Sequence, residues 1–148
     1  DDTIRRVHDI ALEIIRMNNK FAKYRKDIDK KIDVWYKQRL AIFPKLKPIE
    51  YYLSALKNAG FNYENPLYRL IRIPYQDWMD FLRVKRLQAG ILPEVGGKEP
   101  SVEEEQDRDT LITMSATQLF KELETKNPMA DGKSFTAEWI YVAAKKER

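Results

Sequence analysis

Ile4, Val7, Ala11, Ile14, Phe21, Ile28, Ile32 and Trp35 fall on one helical stripe, with Ile10, Met17 and Tyr24 beside it. A stripe of that length is stable in water only when something covers it. The chain is therefore expected to begin with a helix over 3–42, or with two helices broken near Asn18-Asn19. Thr3 is placed to cap the start. The same spacing suits a coiled coil, but Asn18 and Arg25 interrupt the seam, which favours packing within a domain.

The rest of the chain reads as further helices. Pro48 suits the first turn of a helix whose buried face is Ile49, Tyr52, Leu53 and Leu56, with Gly60 as its stop. Asn65-Pro66 marks a linker. Tyr68, Leu70 and Ile71 form a short apolar segment, helical or extended, that ends at Pro74. A helix from Tyr75 to Ala89 carries Trp78, Phe81, Leu82 and Leu87 inward, and Gly90 ends it. The text then changes to "ILPEVGGKEPSVEEEQDRD". Its prolines, paired glycines and block of acids predict a disordered acidic loop over 94–110. A helix follows from Thr110, then the turn "PMADGKS", then a last helix capped by Ser134 and carrying Phe135, Trp139, Ile140 and Val142. No sustained period-2 alternation stands out. The expected fold is all-α: a small helical core over 1–93, a flexible loop over 94–110, and C-terminal helices over 111–148 packed on the core.

A chain of 148 residues with 43% hydrophobic side chains can build one such core without staples. It has no cysteine, which excludes disulfides, Cys-ligated zinc and thiol nucleophiles. No apolar run is long enough to span a membrane as a helix. The charge is uneven. Residues 1–48 carry 13 basic and 7 acidic groups, whereas 94–110 carry 2 basic and 7 acidic. A basic half can steer a protein toward nucleic acid, although a solvated helix surface is the simpler reading.

Little points to catalysis. The one histidine, His8, sits beside the apolar stripe and reads as a packing residue. "GKSF" at Gly132 has the tail of a phosphate loop, but that motif needs a glycine where Asn127 stands. A calcium loop with Gly132 sixth and Glu138 twelfth would place Met129 third, where calcium needs oxygen. Glu103, Glu104 and Glu105 read as a solvated charge run. The chain is expected not to be an enzyme and to use no metal or cofactor.

The stretch "NPLYRLIRIPYQDWMDFLRVKRL" sets rings among Arg69, Arg72, Arg83, Lys85 and Arg86, which keeps a basic helical nucleic-acid-binding protein as the alternative. Tyr75, Trp78, Phe81 and Leu82 fall at helical spacing, however, and so read as core.

The order of "VWYKQRLAIFPKLKPIEYYLSALKNAG" and "NPLYRLIRIPYQDWMDF" resembles the WY-domain fold of oomycete RXLR effectors over residues 28–88. The resemblance implies that Trp35 takes the place of the family's core Trp, and Tyr75, Trp78 or Phe81 that of its core Tyr. Tyr52 and Leu56 would complete the core. The loop "AIFPKLK" is longer than that fold expects, and the RxLR and EER signatures are absent from this chain. The chain starts "DDTIRR" without Met, so they would lie in a trimmed upstream part. What the resemblance implies is a secreted pathogen effector. It would act in the cytoplasm or nucleus of a plant host cell by binding a host protein to modulate immunity.

Near the end, Glu138, Trp139 and Val142 in "AEWIYV" resemble the short motif with which cargo engages ubiquitin-like autophagy proteins by strand addition. Trp139 and Val142 are also i and i+3 on a helix, and the competing expectation is a packed helix over 134–146.

Overall fold

The computed structural model describes residues 2–28, 47–126 and 131–146. Helix α1 runs from Asp2 to Met17. Its stripe buries Ile4, Val7, Ile10, Ala11 and Ile15, while Met17 turns outward. The break comes at Asn18, whose side chain accepts a hydrogen bond from Lys20 N at 3.0 Å and starts a 3-10 turn over Asn19–Tyr24. That turn sends Phe21 and Tyr24 into the core. Arg25, an interruption of the seam in sequence, reaches back to donate from Nε to Ile15 O at 3.0 Å. Trp35 lies outside the described residues.

Helix α2 spans Ile49–Asn58 behind Pro48, and Gly60 closes it with a φ of 79°. Helix α3 spans Tyr75–Leu82 and α4 spans Lys85–Ile91. The single helix expected over 75–89 is therefore broken at Arg83-Val84, and Gly90 is inside α4 rather than at its end. Both pieces serve one core, through Leu82 from the first and Ile91 from the second.

Helix α5 covers Val102–Lys126 and packs along α1. It overturns the disordered loop expected over 94–110. Ser101 and Glu104 form a reciprocal cap: Ser101 N donates to Glu104 Oε2 at 2.8 Å, and Glu104 N donates to Ser101 Oγ at 3.3 Å. Glu103, Glu104 and Glu105 then sit in the first turn, where the helix dipole favours negative charge. The cap bond from the Ser101 backbone leads the causes that hold the Glu104 carboxyl below its usual range. The acids that read as a solvated charge run are thus placed where a helix wants them.

The largest departure is in the strands. β1 is Phe61–Tyr63, β2 Leu67–Pro74, β3 Ser134–Tyr141 and β4 Ala144–Lys146. β1 pairs with β4 and β2 with β3, both antiparallel. Tyr63 faces Ala144 and Leu67 faces Tyr141. Residues 64–66 on one strand thus oppose 142–143 on the other, a one-residue bulge. Glu64 N still bonds Ala143 O at 3.0 Å across it, and Pro66, which has no N–H to offer a ladder, sits in the gap. The two sheets are halves of one bent ribbon.

The fold is therefore mixed α/β, not all-α. Residues 61–74, expected as a linker and a short segment either helical or extended, and 134–146, expected as a helix, are rich in Tyr, Phe, Trp and Ile, which suit a pleated surface. A WY-like helical arrangement is not formed over 28–88, because β1 and β2 lie within that span.

The core is built by α1, the 3-10 turn, α3, α4, the 92–95 segment and α5. Tyr52 is not part of it. It is 43% exposed, and no residue of α2 is buried, because α2 rests on the ribbon instead of on the core.

Candidate functional site

His8 is buried, and its Nε2 lies 2.9 Å from Glu94 Oε1. Its Nδ1 lies 3.5 Å from Asp9 Oδ1. Glu94 is buried as well, so the pair clamps α1 to the segment leading into α5. This is a structural tie in the core, in line with the packing role read from sequence. Among the described residues, no group of three His, Asp or Glu side chains is placed to hold a metal ion.

The Gly132 turn is also structural. Asp131 Oδ1 accepts from Lys133 N at 3.0 Å and from Ser134 N at 2.9 Å. Its other oxygen pairs with Arg72, whose Nε donates to Ser134 Oγ at 2.6 Å. These bonds pin the start of β3 to the end of β2. Glu138 is carried away from Gly132 along an extended strand, which removes the calcium-loop geometry.

The rings assigned to the core by sequence divide. Tyr75 stacks on Phe120 with centroids 4.0 Å apart, and Trp78 meets Phe135 edge-on at 5.8 Å. Both are half-buried and pack against the core, as does Phe135. Phe81 stacks on Trp78 at 5.2 Å but is 45% exposed, at the rim. Leu56 is half-buried, away from the core, in a groove between α2 and the ribbon that Tyr52, Ile140 and Val142 also line.

The register sorts the ribbon into two faces, because directly paired residues share a side and successive residues alternate. One face carries Ile73 with Phe135, Ile71 with Ala137, Arg69 with Trp139, and Leu67 with Tyr141. Its inner end is anchored, since Phe135 packs against Tyr75 and Trp78. Exposure then rises outward. Ile71 and Ala137 are half-buried, Trp139 is 50% exposed, and Leu67 and Tyr141 are exposed too. Trp139 and Tyr141 lie with ring centroids 6.3 Å apart, flanked by Arg69 and Leu67. The opposite face carries Tyr68 with Ile140 and Leu70 with Glu138, and α2 leans on part of it.

Glu138, Trp139 and Val142 are not brought together as a motif. Residues 134–141 are extended rather than helical, and Trp139 is exposed, but the strand is already paired with β2. Val142 turns into the groove under α2. The surface that does form uses Trp139 with Arg69, which the sequence reading weighed only as a cation for nucleic acid, and with Leu67 and Tyr141, which it passed over. Alternation of Leu67, Ile71 and Ile73, and of Phe135, Ala137, Trp139 and Tyr141, is the signal that would have found them.

No helix among the described residues is long and apolar enough to cross a membrane. No family model, curated protein or solved structure matches the chain significantly.

Proposed function

We propose that this protein is a binding module that engages a partner protein through the outer half of its β-ribbon, and that it turns over no substrate. One observation carries the reading: Leu67, Arg69, Trp139 and Tyr141 share one exposed face of a ribbon whose inner end is locked to the body. Trp, Tyr and Arg are the residues from which binding hot spots are built. The partner is expected to be acidic as well as apolar. Residues 61–74 and 131–146 carry Arg69, Arg72, Lys133, Lys145 and Lys146 against Glu64, Asp131 and Glu138, a net of +2. The effector reading, without its WY-like fold, reduces to this proposal of a protein bound at an exposed surface.

Single-stranded nucleic acid is the second reading, supported by the same rings and cations. The aliphatic residue favours protein. Leu67 is exposed on the same face as Trp139 and Tyr141, and it adds nothing to base stacking or phosphate contact.

Unbiased selection from a displayed peptide library tests both readings. Peptides that bind the protein are expected to lose at least about tenfold in affinity on Trp139→Ser/Tyr141→Ser, hot-spot changes that leave melting unchanged. Selected peptides indifferent to that variant would sink the proposal. So would a single-stranded oligonucleotide that needs Trp139 and weakens by orders of magnitude between about 50 and 200 mM salt.

A further inference from the structure

A cleft of about 690 Å³ opens between α4 and the first half of α5, away from the ribbon residues just described. Five cations line it, Arg83, Lys85, Arg86, Lys98 and Arg108, against the two acids Glu105 and Asp109, a net of +3. Both acids are already engaged. Glu105 lies 2.5 Å from Lys85 Nζ, and Asp109 accepts from the buried Gln88 amide at 2.7 Å. Arg83 pairs with Asp80, on α3, at 3.2 Å. Arg86 and Lys98 form no ion pair among the described residues.

Arg108 is the unusual member, being only 3% exposed. Its Nε donates to Val95 O at 2.9 Å, and its Nη2 donates to Gly97 O at 2.9 Å and also to Val95 O. No carboxylate among the described residues lies within ion-pair distance of it, and its Nη1 makes no hydrogen bond to them. Burial drives its pKa down, with Glu105 and Glu104 pulling the other way. A buried cation whose hydrogen bonds all go to neutral carbonyls, with its nearest acids beyond ion-pair distance, is only partly compensated. An anion in the cleft would supply the missing charge.

We propose that this cleft is a binding site for an oligophosphate group, held by Arg86, Lys98 and Arg108. Three cations without carboxylate partners suit a ligand with several charges better than a single carboxylate. Guanidinium forks match phosphate oxygens in geometry. The oligophosphate could be inorganic or the tail of a nucleotide, and the chemistry of recognition is the same for both.

Calorimetric titration of the intact protein tests the site, with inorganic tripolyphosphate, ATP and sulfate as probes. Tripolyphosphate is expected to bind saturably at one site, and sulfate at equal ionic strength is not. Arg86→Gln/Lys98→Gln should weaken tripolyphosphate at least about tenfold, as loss of two charge-assisted contacts would, with unchanged melting. Lys145→Gln/Lys146→Gln on the ribbon should leave it as it was. ATP as tight as tripolyphosphate, or tighter, identifies a nucleotide tail, and much weaker ATP an inorganic chain. Arg108 is left intact in every variant because it also holds the 95–97 backbone. Absence of saturable binding at millimolar tripolyphosphate would overturn the proposal, as would equal binding by wild type and the Arg86/Lys98 variant.

Discussion

The helical body and the ribbon with α2 are built from similar amounts of apolar sequence and use it in opposite ways. Among the described residues, all 17 buried hydrophobic residues lie in 4–28 or 82–120. Residues 47–81 and 131–146 contain none that is buried, yet they hold Tyr51, Tyr52, Leu67, Tyr68, Leu70, Trp139, Ile140 and Tyr141, all exposed. Stability is concentrated in one region and contact surface in the other. A two-stranded ribbon is marginal by itself. This one survives because Phe135 is gripped by Tyr75 and Trp78, and because Arg72 and Asp131 close its inner end. With no side chain of the outer ribbon in the buried core, that ribbon is free to carry residues chosen for a partner.

The hardest test of this division is Phe21→Ala. Phe21 is fully buried. Its truncation should cost about 3–5 kcal/mol, read from urea denaturation. A loss below about 1 kcal/mol would mean that the body is not where the stability resides.

Gly96→Ala probes the junction through which the body receives α5. Gly96 has a φ of 76°, and a Cβ built on it would lie 2.5 Å from Pro100 Cβ and 3.0 Å from Glu104 Cβ. The left-handed backbone alone costs roughly 1–2 kcal/mol for a side-chain-bearing residue. The contact with Pro100 adds to it and bears on the Ser101–Glu104 cap. The variant should lose roughly 2 kcal/mol, with faster amide exchange over 102–106. Unchanged exchange there would separate the glycine from the cap.

The body was far more legible than the ribbon, for a physical reason. A helix is specified by neighbours three and four apart, so the stripe of α1 and the break at Asn18 could both be read locally. The start of α5 was equally local. Ser101-Val102-Glu103-Glu104 spells a capping box, a local signal that a reading of the acids as a solvated charge run hides. The ribbon is different. β2 and β3 pair across sixty or more positions of chain, and no local pattern states that pairing. Their alternation was blurred as well, since Tyr68, Leu70 and Ile140 put apolar groups on the second face. Two-faced apolar strands imitate helix segments when read one at a time. The exposed face of Trp139 and Tyr141 became visible only once the register paired Arg69 with Trp139.

Acid should loosen the body through a named contact. Burial pushes the Asp107 carboxyl up, but hydrogen bonds from Lys23 and Tyr24 outweigh it and hold the carboxyl below its ordinary value of 3.8. A depressed carboxyl contributes stability that is present above 3.8 and lost as pH falls through its folded value. Tyr24 behaves in the opposite sense. Burial first, then the bond to Asp107, pushes its hydroxyl up to about 12 from 10.0, so its contribution is lost as pH rises from 10 toward 12. Stability measured against pH should therefore fall more steeply below pH 4 in the wild type than in Asp107→Asn. Parallel curves would remove Asp107 from the account.

The smallest expected effect is on the ribbon. Leu70 is the most exposed large side chain of β2, at 74%, and faces Glu138 across the ladder. In a buried position, Leu→Ser would remove several methyl groups from the core and leave an unpaired hydroxyl. At Leu70 the side chain is in water before and after folding, so the folded state loses almost nothing that the unfolded state keeps. The change should fall within about 0.5 kcal/mol of zero, and serine's lower strand preference accounts for any small loss. Urea denaturation of Leu70→Ser beside Phe21→Ala makes the comparison in one experiment. If Leu70→Ser instead costs more than about 1 kcal/mol, the outer ribbon is part of the folding unit. The division of labour between body and ribbon would then have to be given up.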